Sequence, residues 1–276
     1  MKFLNNNDAG VCHVSHLLWI AVISVAFGIS CKSHKLNHEQ SVAQRKADKT
    51  STQAKENALT QAEKKEGWVL LFDGHDTNKW RKVYGDTFPA QDWIVKDGAL
   101  TVQKSNGQQG GSGGSIVTKN TYSDFELKLD FKLTKGANSG IKYFVVEDPD
   151  YFKGEDPAGR GIGLEYQIID DARPDVHENN STASLYDMIV PSSNKSLKPI
   201  GAWNHARIVS KGHHVEHWLN GEKVLEYQRG SQKFRSLVRK SKYHKYRKFG
   251  LAPEGHILLQ DHGSTVSYRN IKIRKL

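Results

Sequence analysis

Four short stretches set polar or ionisable side chains among aromatics on a two-residue period: "GIGLEYQIID", "HVEHWLNG", "NSGIKYF" and "ILLQDH". In an extended strand, alternate side chains share a face. On that period Glu165 and Gln167 stand together, opposite Leu164, Tyr166 and Ile168. Glu216, Trp218 and Asn220 oppose Val215, His217 and Leu219. Lys142 goes with Phe144 against Ile141 and Tyr143, and Gln260 goes with His262. Such an interleaving suits a saccharide: apolar sugar faces stack on Trp and Tyr, and hydroxyls need paired donors and acceptors. Taken singly, each residue has the ordinary reading of a solvated strand face. Taken together, they favour a carbohydrate-binding groove.

Other chemistries are poorly supplied. The only cysteines are Cys12 and Cys31, and no spacing matches a zinc site. His213 and His217 would sit roughly 13 Å apart along a strand. The loop "DDARPDVHEN" is the place where ligands for a divalent ion could converge, with Asp170 the first candidate; no motif calls for another cofactor. The glycine-rich stretch "KSNGQQGGSGGS" lacks a following helix and the spacing of a phosphate loop. Nothing resembles the elbow of a Ser-His-Asp hydrolase.

The elements that must carry these residues are strands. "FELKLDFKL" alternates strictly, with Phe125, Leu127, Leu129, Phe131 and Leu133 on one face, which predicts a half-buried antiparallel strand. "DWIVKDGALTVQ" and "HVEHWLNGEKVLEY" read as hairpins turning at Asp97-Gly98 and Asn220-Gly221. About a dozen such strands with tight turns predict an all-β, jelly-roll sandwich of two antiparallel sheets. One short amphipathic helix with a basic outer face is expected near 231–241, since Phe234, Leu237 and Val238 are spaced as a buried stripe.

Of the 276 residues, the first 66 are set apart. Residues 17–29 form an uncharged apolar run followed by Ser30 and Cys31, the pattern of a lipoprotein signal in which Cys31 is acylated. Residues 32–66 are polar and lack any aromatic, and read as a flexible tether. The folded domain is expected over 67–276, outside the cytoplasm, tethered to a membrane and, since no acidic residues follow Cys31, on the periplasmic side of the outer membrane. The net charge of +10 invites a nucleic-acid reading. Much of it is local, with nine Lys or Arg and no acid between Arg229 and Lys248. In an exported, tethered protein that run reads as a solvated face near acidic lipid or glycan, not a nucleic-acid surface.

The segments "LFDGHDTNKW", "WIVKDGAL", "DFELKLDFKLTKGANSGI", "GLEYQIID", "GAWNHARIV", "HWLNG" and "GHILLQDHGSTVSYRNIKI" run in order through roughly residues 66–276. In this they resemble the 3-keto-disaccharide hydrolase family. The resemblance implies a concanavalin-like sandwich and the cleavage of glycosides already oxidised to a ketone at sugar carbon 3. Such a ketone acidifies the hydrogen on carbon 2, so a base there opens an elimination route followed by addition of water. On that implication Glu165 is nominated as base or metal ligand. His217 and His262 are the next acid or base candidates, although alternation turns His217 inward. Lys142 would stabilise the enolate oxygen, and Gln167, Tyr186, Trp218, Asn220 and Gln260 would hold the sugar. A non-catalytic, lectin-like module on the same fold is the alternative.

Overall fold

The computed structural model describes residues 55–105, 113–148, 150–152, 161–246 and 248–276. The apolar leader, Cys31 and most of the expected tether lie outside these residues. Among the described residues the chain is an all-β sandwich of two antiparallel sheets, as the strand pattern predicts. The larger sheet orders β11 (Glu222–Gln228), β10 (His214–Leu219), β9 (Trp203–Lys211), β6 (Phe125–Leu133), β13 (Val266–Lys275), β4 (Ala99–Val102) and β3 (Trp93–Lys96), with β1 (Val69–Leu70) also paired to β13. The smaller sheet orders β2 (Trp80–Lys82), β5 (Ile116–Thr118), β12 (His256–Leu259), β7 (Asn138–Val146) and β8 (Ile162–Ile169). At the β3–β4 and β10–β11 turns, Asp97-Gly98 and Asn220-Gly221 all have positive φ, which matches the right-handed twist of the flanking strands.

The core lies between the sheets. The five apolar residues of β6 are at most 2% exposed and face Ile141 and Tyr143 of β7 and Leu164, Tyr166 and Ile168 of β8, all fully buried. Each such side chain contributes about 1.5–3 kcal/mol on leaving water. Phe144 departs from simple alternation. Its φ of 54° and a register shift between Tyr143 and Val146 turn its ring into the core instead of beside Lys142.

The outer face of the larger sheet is a charged ladder. Glu126 takes Arg207 Nε at 2.6 Å and Arg274 Nε at 2.9 Å. It is covered by residues assigned to the tether from sequence. Asn57 and Asn270 exchange backbone-to-side-chain hydrogen bonds of 2.6 and 2.8 Å. Glu56, Glu63 and Glu66 pair with Arg269, Lys272 and Arg274 of β13, and helix α1 (Gln61–Lys65) is closed by a Thr60–Glu63 capping box. Residues before Gly67 therefore belong to the folded part, because polar pairing with β13 substitutes for the aromatics this segment lacks.

Helix α2 (Gln232–Lys240) forms where the basic stripe predicts one, with Ser231 accepting from Phe234 N at 3.1 Å and Phe234 stacked on Tyr227. Its flanks are not all solvated. Arg229 is buried, with its guanidinium 3.8 Å from the Phe144 ring centre and hydrogen bonds to Gly250 O and Ala252 O.

Candidate active site

The outer face of the smaller sheet gathers most of the polar residues singled out by alternation. On β8, Leu164, Tyr166 and Ile168 fill the core, which forces Glu165 and Gln167 to the other side. The register sets Glu165 opposite Lys142 and Gln167 opposite Gly140 on β7. Gly140 O in turn accepts from Gln260 N at 2.9 Å, which brings the end of β12 alongside. Glu165, Lys142, Gln167 and Gln260 thus form one patch of buried polar side chains.

Gly140 makes the patch possible. A Cβ at this position would lie 2.4 Å from Glu165 Oε1, so the carboxylate rests over the strand where any other residue would stand. A lone glycine within a strand is a sequence signal for such a close approach, and the "NSGIK" run contains one.

The electrostatics follow from burial. Desolvation raises the Glu165 pKa above the ordinary glutamate value, and the Lys142 and Lys242 charges pull it part of the way back. Lys142 Nζ donates to Gly161 O at 3.0 Å, which holds the ammonium on the sheet. Half-buried His262 has its pKa lowered by desolvation, with Arg173, Lys142 and Lys242 adding to the effect, so its imidazole is neutral at pH 7. A carboxyl shifted up and an imidazole shifted down, in one field of cations, are the opposed shifts that acid–base chemistry uses.

Two acceptors wait for donors. Gln167 Nε2 bonds Asn138 Oδ1 at 3.0 Å, but Gln167 Oε1 and Gln260 Oε1 are buried without a partner among the described residues. Hydroxyls of a bound sugar would satisfy them. Tyr186 is delivered to the rim by its backbone, whose N–H donates to Glu165 O at 3.0 Å. Lys242 stands 4.1 Å from the Tyr186 ring centre, on a 3₁₀ turn anchored by Lys242 N to Asp187 Oδ2 at 2.8 Å. Lys242 and Arg173 were not separable from sequence, one lying in a long basic run and the other in a polar loop.

Four residues expected at the site are elsewhere. His217 is fully buried in the core, between Tyr143 OH at 2.8 Å and Ala183 O at 3.0 Å, and burial lowers its pKa to about 4. It is a neutral core histidine, not an acid or base of this patch. Trp218 belongs to β10 of the other sheet and donates its indole N–H to Glu216 Oε2 at 2.8 Å. Asn220 is spent on its turn, giving Nδ2 to Ser196 O and Asn204 Oδ1 and accepting from His205 N. Asp170 caps loops by accepting from Gly136 N at 2.7 Å and Ala172 N at 3.1 Å. Its neighbours are likewise engaged, Asp171 with Lys195 and Asp175 with Arg173, so these acids do not converge on an ion. Asp261 accepts from Gly263 N at 2.9 Å, which turns the chain after Gln260.

A family model described as a 3-keto-alpha-glucoside-1,2-lyase-like domain matches residues 67–274. The chain belongs to this family. A 3-keto-disaccharide hydrolase of Bacteroides thetaiotaomicron is 35% identical over 232 residues, covering 76% of this chain and 79% of that protein. A crystal structure of a candidate glycosyl hydrolase from Parabacteroides distasonis is similar at a TM-score of 0.69 and 34% identity, over 80% of this chain and 100% of that one. A second such structure from the same organism gives 0.51 and 28%, over 72% and 100%. This member of the 3-keto-alpha-glucoside-1,2-lyase-like family is accordingly an enzyme, a hydrolase of glycosidic bonds.

Proposed function

We propose that the enzyme cleaves glycosides carrying a ketone at carbon 3, by proton abstraction, elimination and hydration. Glu165 takes the proton from carbon 2, and the C–H electron pair forms an enolate whose oxygen faces Lys142. The enolate reverts to the ketone, opens a carbon 1–carbon 2 double bond and expels the glycosidic oxygen, which takes a proton from water. Water then adds to carbon 1 with His262 accepting its proton, and Glu165, whose carboxyl proton exchanges with solvent before this addition, returns a solvent-derived proton to carbon 2. His262 discharges to solvent, and the net change is hydrolysis. Gln167, Gln260 and Tyr186 hold the ring.

One observation carries this reading. Glu165 is the only carboxylate on β7, β8 and β12, and it faces Lys142, not a second carboxylate. Ordinary glycosidases use two facing carboxylates, whereas α-proton abstraction needs one raised base and a cation for the enolate. The family's description as a 1,2-lyase acting on 3-keto glucosides, and the name of the Bacteroides relative, support the same substrate class.

The test is a 3-keto-disaccharide beside its unoxidised parent, in D₂O, with products read by NMR. We expect cleavage of the keto compound alone, with deuterium at carbon 2 of the product. Cleavage of the parent without label would establish ordinary hydrolysis, and binding of both without cleavage would establish a lectin.

Export and lipid anchoring at Cys31 form part of the proposal, with the periplasmic side of the outer membrane as the site of action. They rest on the apolar run 17–29 ending in Ser30-Cys31. Cys31→Ala should leave the protein in the soluble fraction; continued membrane fractionation would assign the anchor elsewhere.

A further inference from the structure

The proposed reaction leaves the outer face of the larger sheet unused, yet that face carries Trp218. There the register aligns outward side chains of three strands. Lys128 on β6 faces Arg207 on β9, and Arg207 faces Trp218 on β10. In the next row Asp130 faces His205. A groove of about 390 Å³ lies over these rows, walled by Lys55 and Ala58 of the N-terminal segment and by Asn270 and Lys272 of β13. Its volume is that of a small-molecule site.

The side chains suit binding better than catalysis. Asp130, the one carboxylate among the described residues lining the groove, is buried and engaged: His205 Nδ1 lies at 2.5 Å, Asn270 Nδ2 at 2.7 Å and Arg269 Nε at 3.3 Å. A carboxylate held this way serves to position its three partners. Its pairing does fix the His205 ring and leaves Nε2 for a ligand, on a side chain that is 55% exposed. Trp218 has its N–H satisfied by Glu216 and one ring face covered by the Arg207 guanidinium, 4.5 Å from the ring centre, which fixes the indole; a sugar ring would stack on its other face. Four cations, Lys55, Lys128, Arg207 and Lys272, line the groove against that single acid. Glu126 offsets Arg207 and Glu63 offsets Lys272 from outside the lining. Exposed Lys55 remains to meet an anion, with half-buried Lys128 beside it, shared with Glu126 at 3.7 Å and the Trp68 ring centre at 4.4 Å.

We propose that this groove is an accessory binding site for an anionic saccharide, one bearing a carboxylate or a sulfate, stacked on Trp218 and held by His205, Lys128 and Lys55. It is separate from the Glu165 patch, on the opposite sheet, and would hold a polyanionic glycan while the catalytic face works elsewhere on it.

Calorimetric titration tests this with three probes: tetragalacturonate for the carboxylate, a κ-carrageenan tetrasaccharide for the sulfate and cellotetraose as the neutral control. We expect at least one anionic probe to bind about tenfold tighter than cellotetraose, and the one that binds identifies the anion. Trp218→Ala should weaken that binding about tenfold or more, the usual loss for a central aromatic contact. Lys55→Glu, at an exposed surface residue, should weaken it several-fold even if Trp218→Ala proves unstable. Glu165→Gln should leave it unchanged. Absence of binding by both anionic probes, equal affinity for cellotetraose, or a loss in Glu165→Gln with none in Lys55→Glu would each overturn the proposal.

Discussion

Gly140→Ala tests the site geometry most directly. The added Cβ would sit 2.4 Å from Glu165 Oε1, 3.1 Å from Cδ and 3.2 Å from Cγ, whereas ordinary contact begins near 3.4 Å. The carboxylate oxygen must therefore retreat by about 1 Å, a misplacement that typically costs about 10²-fold in rate, or about 2.7 kcal/mol in activation free energy. The stability effect should be smaller. Gly140 lies within regular strand, so alanine gains roughly 0.5–1 kcal/mol from reduced backbone freedom in the unfolded chain. Overpacking costs about 1–3 kcal/mol, but the crowded atoms belong to one side chain that can swing. The net loss should stay under about 2 kcal/mol. The assay is kcat and KM on a 3-keto-disaccharide, with a urea melt of the same sample. We expect kcat to fall about 100-fold with KM little changed, because Gln167 and Gln260 are untouched. In a Glu165→Ala background the same substitution should cost little further, since the three atoms nearest the added Cβ all belong to the Glu165 side chain. A kcat within about threefold of wild type in the single variant would refute the placement of Glu165 as base.

Four further outcomes follow from the same structure. Glu165→Gln should lower kcat about 100-fold or more with folding intact, and Lys142→Met should move the acid limb of the kcat/KM profile to higher pH, because the cation that partly offsets burial is lost. His217 has its folded pKa lowered from 6.5 to about 4, so between those values the folded protein binds fewer protons than the unfolded one. Its contribution to stability, about 3 kcal/mol, is present above pH 6.5 and is lost as pH falls towards 4; urea melts across that range should show this slope in the wild type and not in His217→Gln, whose turnover per folded molecule should be unchanged. A chain starting at Gly67 instead of Lys55 loses the Asn57–Asn270 exchange and the ion pairs to β13, and should be about 2 kcal/mol less stable in urea.

The sequence by itself determined sidedness. The strict alternation of β6 settled which of its faces is core. The same period separated Glu165 and Gln167 from Leu164, Tyr166 and Ile168, and turned His217 inward with Val215 and Leu219. Turn chemistry at Asp97-Gly98 and Asn220-Gly221 located two hairpins. These features are local, set by the two-residue repeat of a strand and by the need for positive φ. Tertiary structure decided which faces meet. Trp218 and Glu165 both point outward, and period alone treats them alike; only the pairing of β10 with β9 and of β8 with β7 puts them on opposite sheets. A left-handed φ at Phe144 reversed its side without any mark in the residue types. Lys242 looks like every other cation in its run until a 3₁₀ turn brings it to Tyr186, and residues 55–66 look like tether until β13 supplies their partners. Each of these depends on contacts between residues far apart in the chain, which no local period encodes.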